Sequence, residues 1–297
     1  MRDLPPVTSL KEAKAKRIKV TGNVDWVVMA GGEAWTSTGA PEVRRFDGKT
    51  GNPVGKTLLP DDVCSAMDTG FGSVWASACA SAVLVRIDER DGSVQARVKV
   101  GERILQEEGS VGAGEGAVWV LTVSPDPTLF KVDPSTDKVV DSYPAPDDSA
   151  AVRAGLGHVW LTDTGNDQLV ALNPRTGKPS GRAKVGPGAR FVALGEGSVW
   201  VLNQSDGSVT QVNPKSLSVV RKIIVSKQQV EGGDIAVGGG FVWARVSDTL
   251  VAQIDPTTGK VLARYGMPAG SGSIAADERA VWITAHDVDS VWRVPLG

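Results

Sequence analysis

One short text recurs seven times along this chain, and its spacing leaves few folds open. It is a glycine-rich turn, an apolar residue and a tryptophan: GGEAW ending at Trp35, GFGSVW at Trp75, GEGAVW at Trp119, GLGHVW at Trp160, GEGSVW at Trp200, GGGFVW at Trp243 and DERAVW at Trp282. Successive Trp residues stand 40, 44, 41, 40, 43 and 39 positions apart. A second mark follows six of them: FDGKTG from Phe46, IDERDG from Ile87, VDPSTD from Val132, LNPRTG from Leu172, VNPKSL from Val212 and IDPTTG from Ile254. These runs read as tight turns, with Pro setting φ at the first corner and Gly taking the left-handed position that closes the hairpin. Between the marks lie Val-, Ile- and Leu-rich runs of strand length, and none has a helical period.

Four short strands repeating every ~41 residues is the spacing of a propeller blade. Seven such units predict an all-β, seven-bladed β-propeller with four-stranded blades. Residues 16–297 form the single propeller domain, and residues 1–15 form a polar arm whose lysines read as solvated. Each blade runs strand A into the glycine turn, strand B with the Trp, strand C into the second turn, and strand D back. Blades pack face to face, so strand B is apolar on both sides, and the Trp reads as core rather than as a ligand platform. Its N–H then needs an acceptor, expected in the neighbouring blade.

The ends predict closure. The last unit stops after a third strand at VWRVPLG, while AKRIKVTG from Ala15 matches the fourth-strand text QARVKVG that ends at Gly101. Residues 16–22 are therefore assigned to the closing strand, with Arg17 to Val20 as strand D of blade seven. Such pairing leaves no open sheet edge between the ends.

The turn and core text GEGSVWV, IDPTTGKV and VGPGARFVALGEG resembles the YVTN-type and virginiamycin B lyase-like propellers, over about Arg17 to Gly297. The resemblance implies a bacterial seven-bladed protein, commonly periplasmic, secreted or attached to a membrane sensor. In that group some members are streptogramin lyases that use histidines and a glutamate near the channel mouth with Mg2+, and others only bind or scaffold. This chain has two histidines. His158 falls in the A–B turn of blade four, opposite the mouth; His286 falls in a mouth loop beside Asp287 and Asp289, with no second His to partner it.

Propellers present ligands where the D–A and B–C loops converge. Aligned on the Trp residues, most inward positions of strand A are small. The exceptions are Asp25 and Arg190 at one level, Asp234 at the next, and Asp68 and Arg153 two levels further down. Either these charges neutralise one another or they contact a ligand. With His286 they make up the candidate ligand-binding set. Successive D–A loops carry Asp61, Asp62, Glu107, Glu108, Asp147 and Asp148, with Asp126 and Asp163 in nearby B–C loops, an acidic arc. Arg190, Lys227 and Arg245 fall opposite, so the mouth reads either as bipolar, suited to a zwitterionic ligand or a partner of split charge, or as loops charged for solubility.

Cys64 and Cys79 face each other across the blade-two hairpin. If bonded they argue for an oxidising compartment, and if free they are small buried hydrophobes. A periplasmic or secreted setting, with a signal segment already removed, is the expectation; a cytoplasmic one stays open.

Other classes are excluded or unsupported. With 32 Lys plus Arg against 34 Asp plus Glu, the net charge of -2 gives no whole-chain nucleic-acid footprint. No apolar run is long enough to insert in a membrane. There is no GxSxG elbow, P-loop, dinucleotide fingerprint, CxxC or Ca2+-loop motif. No cofactor is predicted, although a loosely bound divalent cation stays open. The expected function is non-catalytic binding of a small molecule or protein partner at the mouth, as a sensor or scaffold. The alternative is a lyase or hydrolase with Asp25, Asp234 or His286 as base and Arg190 stabilising an anion.

Overall fold

The computed structural model describes residues 4–59, 63, 64, 66–102, 104–123 and 125–296. Seven antiparallel sheets stand round one axis. Strand A, the innermost, runs Val27–Ala30, Met67–Gly70, Val111–Gly114, Ser149–Gly155, Ala189–Gly195, Asp234–Gly238 and Ile274–Ala276 in blades one to seven. Strand B runs Glu33–Ser37, Ser73–Ala78, Ala117–Leu121, His158–Asp163, Ser198–Asn203, Phe241–Arg245 and Ala280–Ala285. Strand C runs Glu42–Asp47, Val83–Asp88, Thr128–Asp133, Gln168–Leu172, Ser208–Val212, Val251–Ile254 and Ser290–Pro295. Strand D runs Pro53–Leu58, Val94–Lys99, Lys138–Pro144, Pro179–Lys184, Val219–Ile224 and Val261–Tyr265, with Lys16–Lys19 supplying it in blade seven. The inner strands touch their neighbours in an unbroken ring, blade seven against blade one included.

Burial explains the text. Strand B is covered by blades on both faces, so SVWASA and SVWVLN are buried at every position, whereas strand D is largely exposed. The seven repeat indoles are at most 1% exposed. At roughly 25 cal/mol per Å2, each contributes several kcal/mol. Six of their N–H groups donate at 2.9–3.2 Å to the carbonyl five residues back, at the end of strand A of the same blade. The acceptor expected in the neighbouring blade is thus in the Trp's own blade. The reason is local: the two central turn residues of those blades have positive φ, and this turn brings the strand A carbonyl beneath the ring. In blade seven Asp277 instead caps Arg279 and Ala280 through its carboxylate, and the Trp282 N–H has no partner.

The C–D turns are uniform. In all six the Asx carbonyl accepts from the residue four positions on, which lies at positive φ, and the Asx side chain accepts a backbone N–H, as Asp255 does from Thr257 at 2.8 Å. These turns also receive the adjacent blade. Arg45, Arg86 and Lys131 lie over Trp35, Trp75 and Trp119 and donate to Asp91, Pro134 and Pro174 carbonyls of the next blade. Arg293 likewise donates from blade seven to the Gly48 carbonyl of blade one, at 2.8 Å.

Lys16–Lys19 pairs antiparallel with Ser290–Arg293, and Ile18 and Val20 join Trp282, Val291 and Phe46 in one apolar cluster. The preceding arm is more than a solvated tail. Val7–Thr8 adds a fifth, parallel strand to blade six against Arg264 and Tyr265, and Leu10, Ala13 and Ala15 pack against the core of blades six and seven. Lys11 and Lys14 are exposed.

Candidate functional site

Strand register stacks the inward residues in three rings along the axis. The ring nearest the mouth holds Trp26, Ala66, Ser110, Ala151, Phe191, Asp234 and Ser273, all buried. Trp26 of blade one and Phe191 of blade five are large enough to meet across the axis, with ring centroids 6.3 Å apart, and the Trp26 N–H donates to the Met67 carbonyl at 2.9 Å. They meet across the axis on the mouth side. Below them lies the ring of Val28, Asp68, Gly112, Arg153, Ala193, Ala236 and Ala275. Ala30, Gly70, Gly114, Gly155, Gly195, Gly238 and Asp277 form the last ring, whose small residues leave the A–B-turn end open. In the last ring a glycine is required where blades three and four touch: a Cβ on Gly114 would sit 2.2 Å from the Ala154 carbonyl oxygen.

This layer divides the residues that the sequence placed together at the mouth. Asp25, Arg190 and His286 lie on its mouth side. Asp68, Arg153 and Asp234 line a cavity of about 360 Å3 on its other side. The Asp68 carboxylate accepts from Thr69 and from Ala113 of blade three. Asp234 accepts from Ile235 and, in blade seven, from the Ser273 hydroxyl at 2.7 Å and the Ile274 N–H at 3.2 Å. Burial raises Asp68 above the usual carboxylate range, and pushes Asp234 up to about 6; the nearby Arg153 guanidinium opposes both shifts. Arg153 itself donates through Nη1 to the Val111 and Val152 carbonyls at 2.9 Å. Each of these three side chains therefore ties its blade to a neighbour or lies between neighbours.

On the mouth side, Arg190 reaches past blade four to Glu108, at 2.8 Å. Arg245 is 1% exposed and donates to the carbonyls of Val246, Leu250, Ala269 and Gly270; burial lowers it to about 10, opposed by Asp287 and Asp25. Of the three expected basic residues, only Lys227 is left as an exposed cation, and a bipolar mouth does not assemble. Glu107, Asp126, Asp147 and Asp148 are exposed. Asp163 is not part of that arc: it is 1% exposed and closes its own loop by accepting from the Asn166 backbone and amide. Asp61 and Asp62 lie outside the described residues. His286 opens a single 3-10 turn, His286–Val288, and is half-buried. His158 begins strand B of blade four, its ring 5.0 Å from Trp160 at the opposite end of the molecule. Among the described residues no group of three or more His, Cys, Asp or Glu side chains is arranged to hold a metal.

Cys64 and Cys79 are joined by a disulfide, their Cα atoms 5.6 Å apart, at the mouth end of blade two. Among the described residues no helix is long and apolar enough to cross a membrane.

Sequence reasoning counted the ring levels from the Trp alignment but missed the role of Trp26 and Phe191. The available signal was two large aromatics in a level otherwise reserved for small or short side chains.

No protein-family model and no curated protein matches the sequence. Solved structures do match it along nearly its whole length. The Myceliophteria thermophila Cps50 (Swd1) β-propeller domain is 13% identical, covers 95% of this chain and 100% of its own, and has a TM-score of 0.76. U3-55K is 10% identical over 94% of this chain and 98% of its own, with a TM-score of 0.78. The RRP9 WD40 repeats are 10% identical over 95% and 97%, with a TM-score of 0.77. At these identities the likeness establishes the fold, a seven-bladed propeller with WD40-type neighbours.

Proposed function

We propose that this propeller is a non-catalytic scaffold that binds a protein partner through its mouth face, the partner presenting basic side chains. The observation that carries this reading is the Trp26–Phe191 layer. It sets two large rings across the axis on the mouth side, while Glu107, Asp126, Asp147 and Asp148 stand exposed in the surrounding loops. An acidic face steers a basic macromolecule better than it encloses a metabolite. The lyase alternative gains nothing from the geometry, since the two histidines lie at opposite ends of the molecule. The resemblance to the YVTN-type and virginiamycin B lyase-like propellers rests on turn and core text. With the Cys64–Cys79 bond it favours an oxidising, extracytoplasmic setting. The structural neighbours contribute the fold and nothing about the partner.

The test uses fluorescein-labelled octalysine, titrated with the protein at about 20 mM salt, where exposed charges are weakly screened. Binding should weaken by about tenfold or more when Glu107, Asp147 and Asp148 are replaced together by Lys, and should be unchanged in Glu196→Gln, exposed on the opposite face. No binding by the wild type, or equal binding by the triple variant, overturns the reading.

A further inference from the structure

The cavity beyond the Trp26–Phe191 layer lies on the face opposite the proposed partner surface. All seven blades line it, and its volume of about 360 Å3 falls within the range of small-ligand pockets. Most of its lining residues are aliphatic by type, Met29, Leu194, Ile235 and Val237 among them, while the surface they and their backbone present is more polar than apolar. Three charged side chains enter it, Asp68, Arg153 and Asp234.

Arg153 makes no side-chain hydrogen bond to either carboxylate. It acts on both only as a nearby charge, while its Nη1 is held by two backbone carbonyls. Above about pH 6, with both carboxylates ionised, the buried Asp234 and the half-buried Asp68 face the single half-buried guanidinium of Arg153, one positive charge short. A buried charge imbalance is costly unless a counter-charge or a proton removes it.

Access is from the A–B-turn face. Along strand A the mouth-side residues are buried, whereas Thr69, Ala113, Ala154, Leu194, Val237 and Ala276 are half-buried. Two A–B turns on that face carry Phe71 and Leu156, 43% and 42% exposed, in the left-handed region at φ 57° and 56°. A bulky apolar residue there costs roughly 1–2 kcal/mol relative to Gly, and its side chain points into solvent.

We propose that this cavity binds a primary ammonium group on a short aliphatic stem, entering from the A–B-turn face, with the cation set between Asp68 and Asp234 and the stem along the aliphatic side chains. A lysine side chain of a protein partner and a free alkylamine share this chemistry.

The probe is n-butylammonium, followed through the Trp26 indole N–H resonance, because Trp26 lines the cavity. A saturable shift is expected in the wild type, with affinity about tenfold or more weaker in Asp68→Asn and no saturable shift in Ala236→Leu, which fills the space without removing a hydrogen bond. n-Butyrate should leave the resonance in place. No shift by about 100 mM, an equal shift with butyrate, or unchanged binding in Ala236→Leu overturns the proposal, and the last two hold even if Asp68→Asn does not fold. The source is read from a leucine-flanked single-lysine peptide. Tighter binding than the free amine that is lost in Phe71→Ser/Leu156→Ser identifies a partner's lysine. Affinity equal to that of the amine, unaffected by those substitutions, identifies a free amine.

Discussion

Trp26 and Phe191 sit on blades one and five yet touch across the axis, ring centroids 6.3 Å apart and planes inclined by 48°. Blades that do not adjoin in the ring are thereby coupled through the centre. Truncating either ring to Ala should cost about 3–5 kcal/mol. Because the rings contact each other, the double variant should be less destabilised than the sum by about 0.5–1.5 kcal/mol. Urea unfolding of the four proteins measures this, and strict additivity would mean that each ring packs against its own blade alone.

Asp234 makes stability depend on pH in a direction opposite to most carboxylates. Its ordinary value of 3.8 is pushed up to about 6 by burial, so the folded chain holds a proton that the unfolded chain releases. That contribution is present below about pH 4, is lost as pH rises through about 6, and is flat beyond, for a total of up to about 3 kcal/mol. Asp234→Asn lacks the titration but also loses acceptor capacity toward Ile274 and Ser273, so it should be the less stable protein at pH 4. The gap should narrow as pH rises to 7. Denaturation of both proteins across this range checks the sign; a gap that stays constant or widens with pH would show that Asp234 is ionised throughout.

The disulfide spans 15 residues between the loop before strand A and the end of strand B in blade two. A cross-link of that span stabilises by roughly 3 kcal/mol in the chain-entropy description. Cys64→Ser/Cys79→Ser should unfold at lower urea by that amount, and the wild type should match it after reduction. Mass spectrometry before and after reductant fixes the oxidation state of the starting protein.

How far the sequence could be read follows the range of each interaction. The Trp spacing, the Asx turns and the matched text of residues 15–22 and 95–101 are local or repeated signals, and they suffice for blade number and for closure. The ring levels of Asp68, Arg153 and Asp234 were also countable, since register follows from the Trp positions. What was not legible depends on where side chains end. Arg190 passes over a whole blade to reach Glu108, Arg245 turns its guanidinium into backbone carbonyls instead of toward solvent, and Asp163 spends its carboxylate on Asn166. Equal spacing in the sequence made all three look like mouth charges. The indole acceptors were misplaced for the converse reason: the left-handed A–B turn supplies them within five residues.

Closure of the ring rests on two contacts with different chemistry, and they can be separated. Lys16–Lys19 adds ladder hydrogen bonds and buries Ile18 and Val20 against Trp282, while Arg293 bridges blade seven to the C–D turn of blade one. The parallel pair Val7–Thr8 lies outside this closure, on blade six. Removing residues 1–8 should therefore cost little, about 1 kcal/mol or less, as for a two-residue edge strand. Removing residues 1–20 exposes the outer edge of Ser290–Pro295 and uncovers Trp282, and should cost several kcal/mol or abolish cooperative unfolding. Arg293→Met keeps the stem over the core and deletes only the donor, so about 1–2 kcal/mol should be lost, with the Gly48 carbonyl turning to water. Thermal unfolding of the three proteins ranks these effects. Equal destabilisation by the short and the long deletion would place the closing role in the arm rather than in strand D of blade seven.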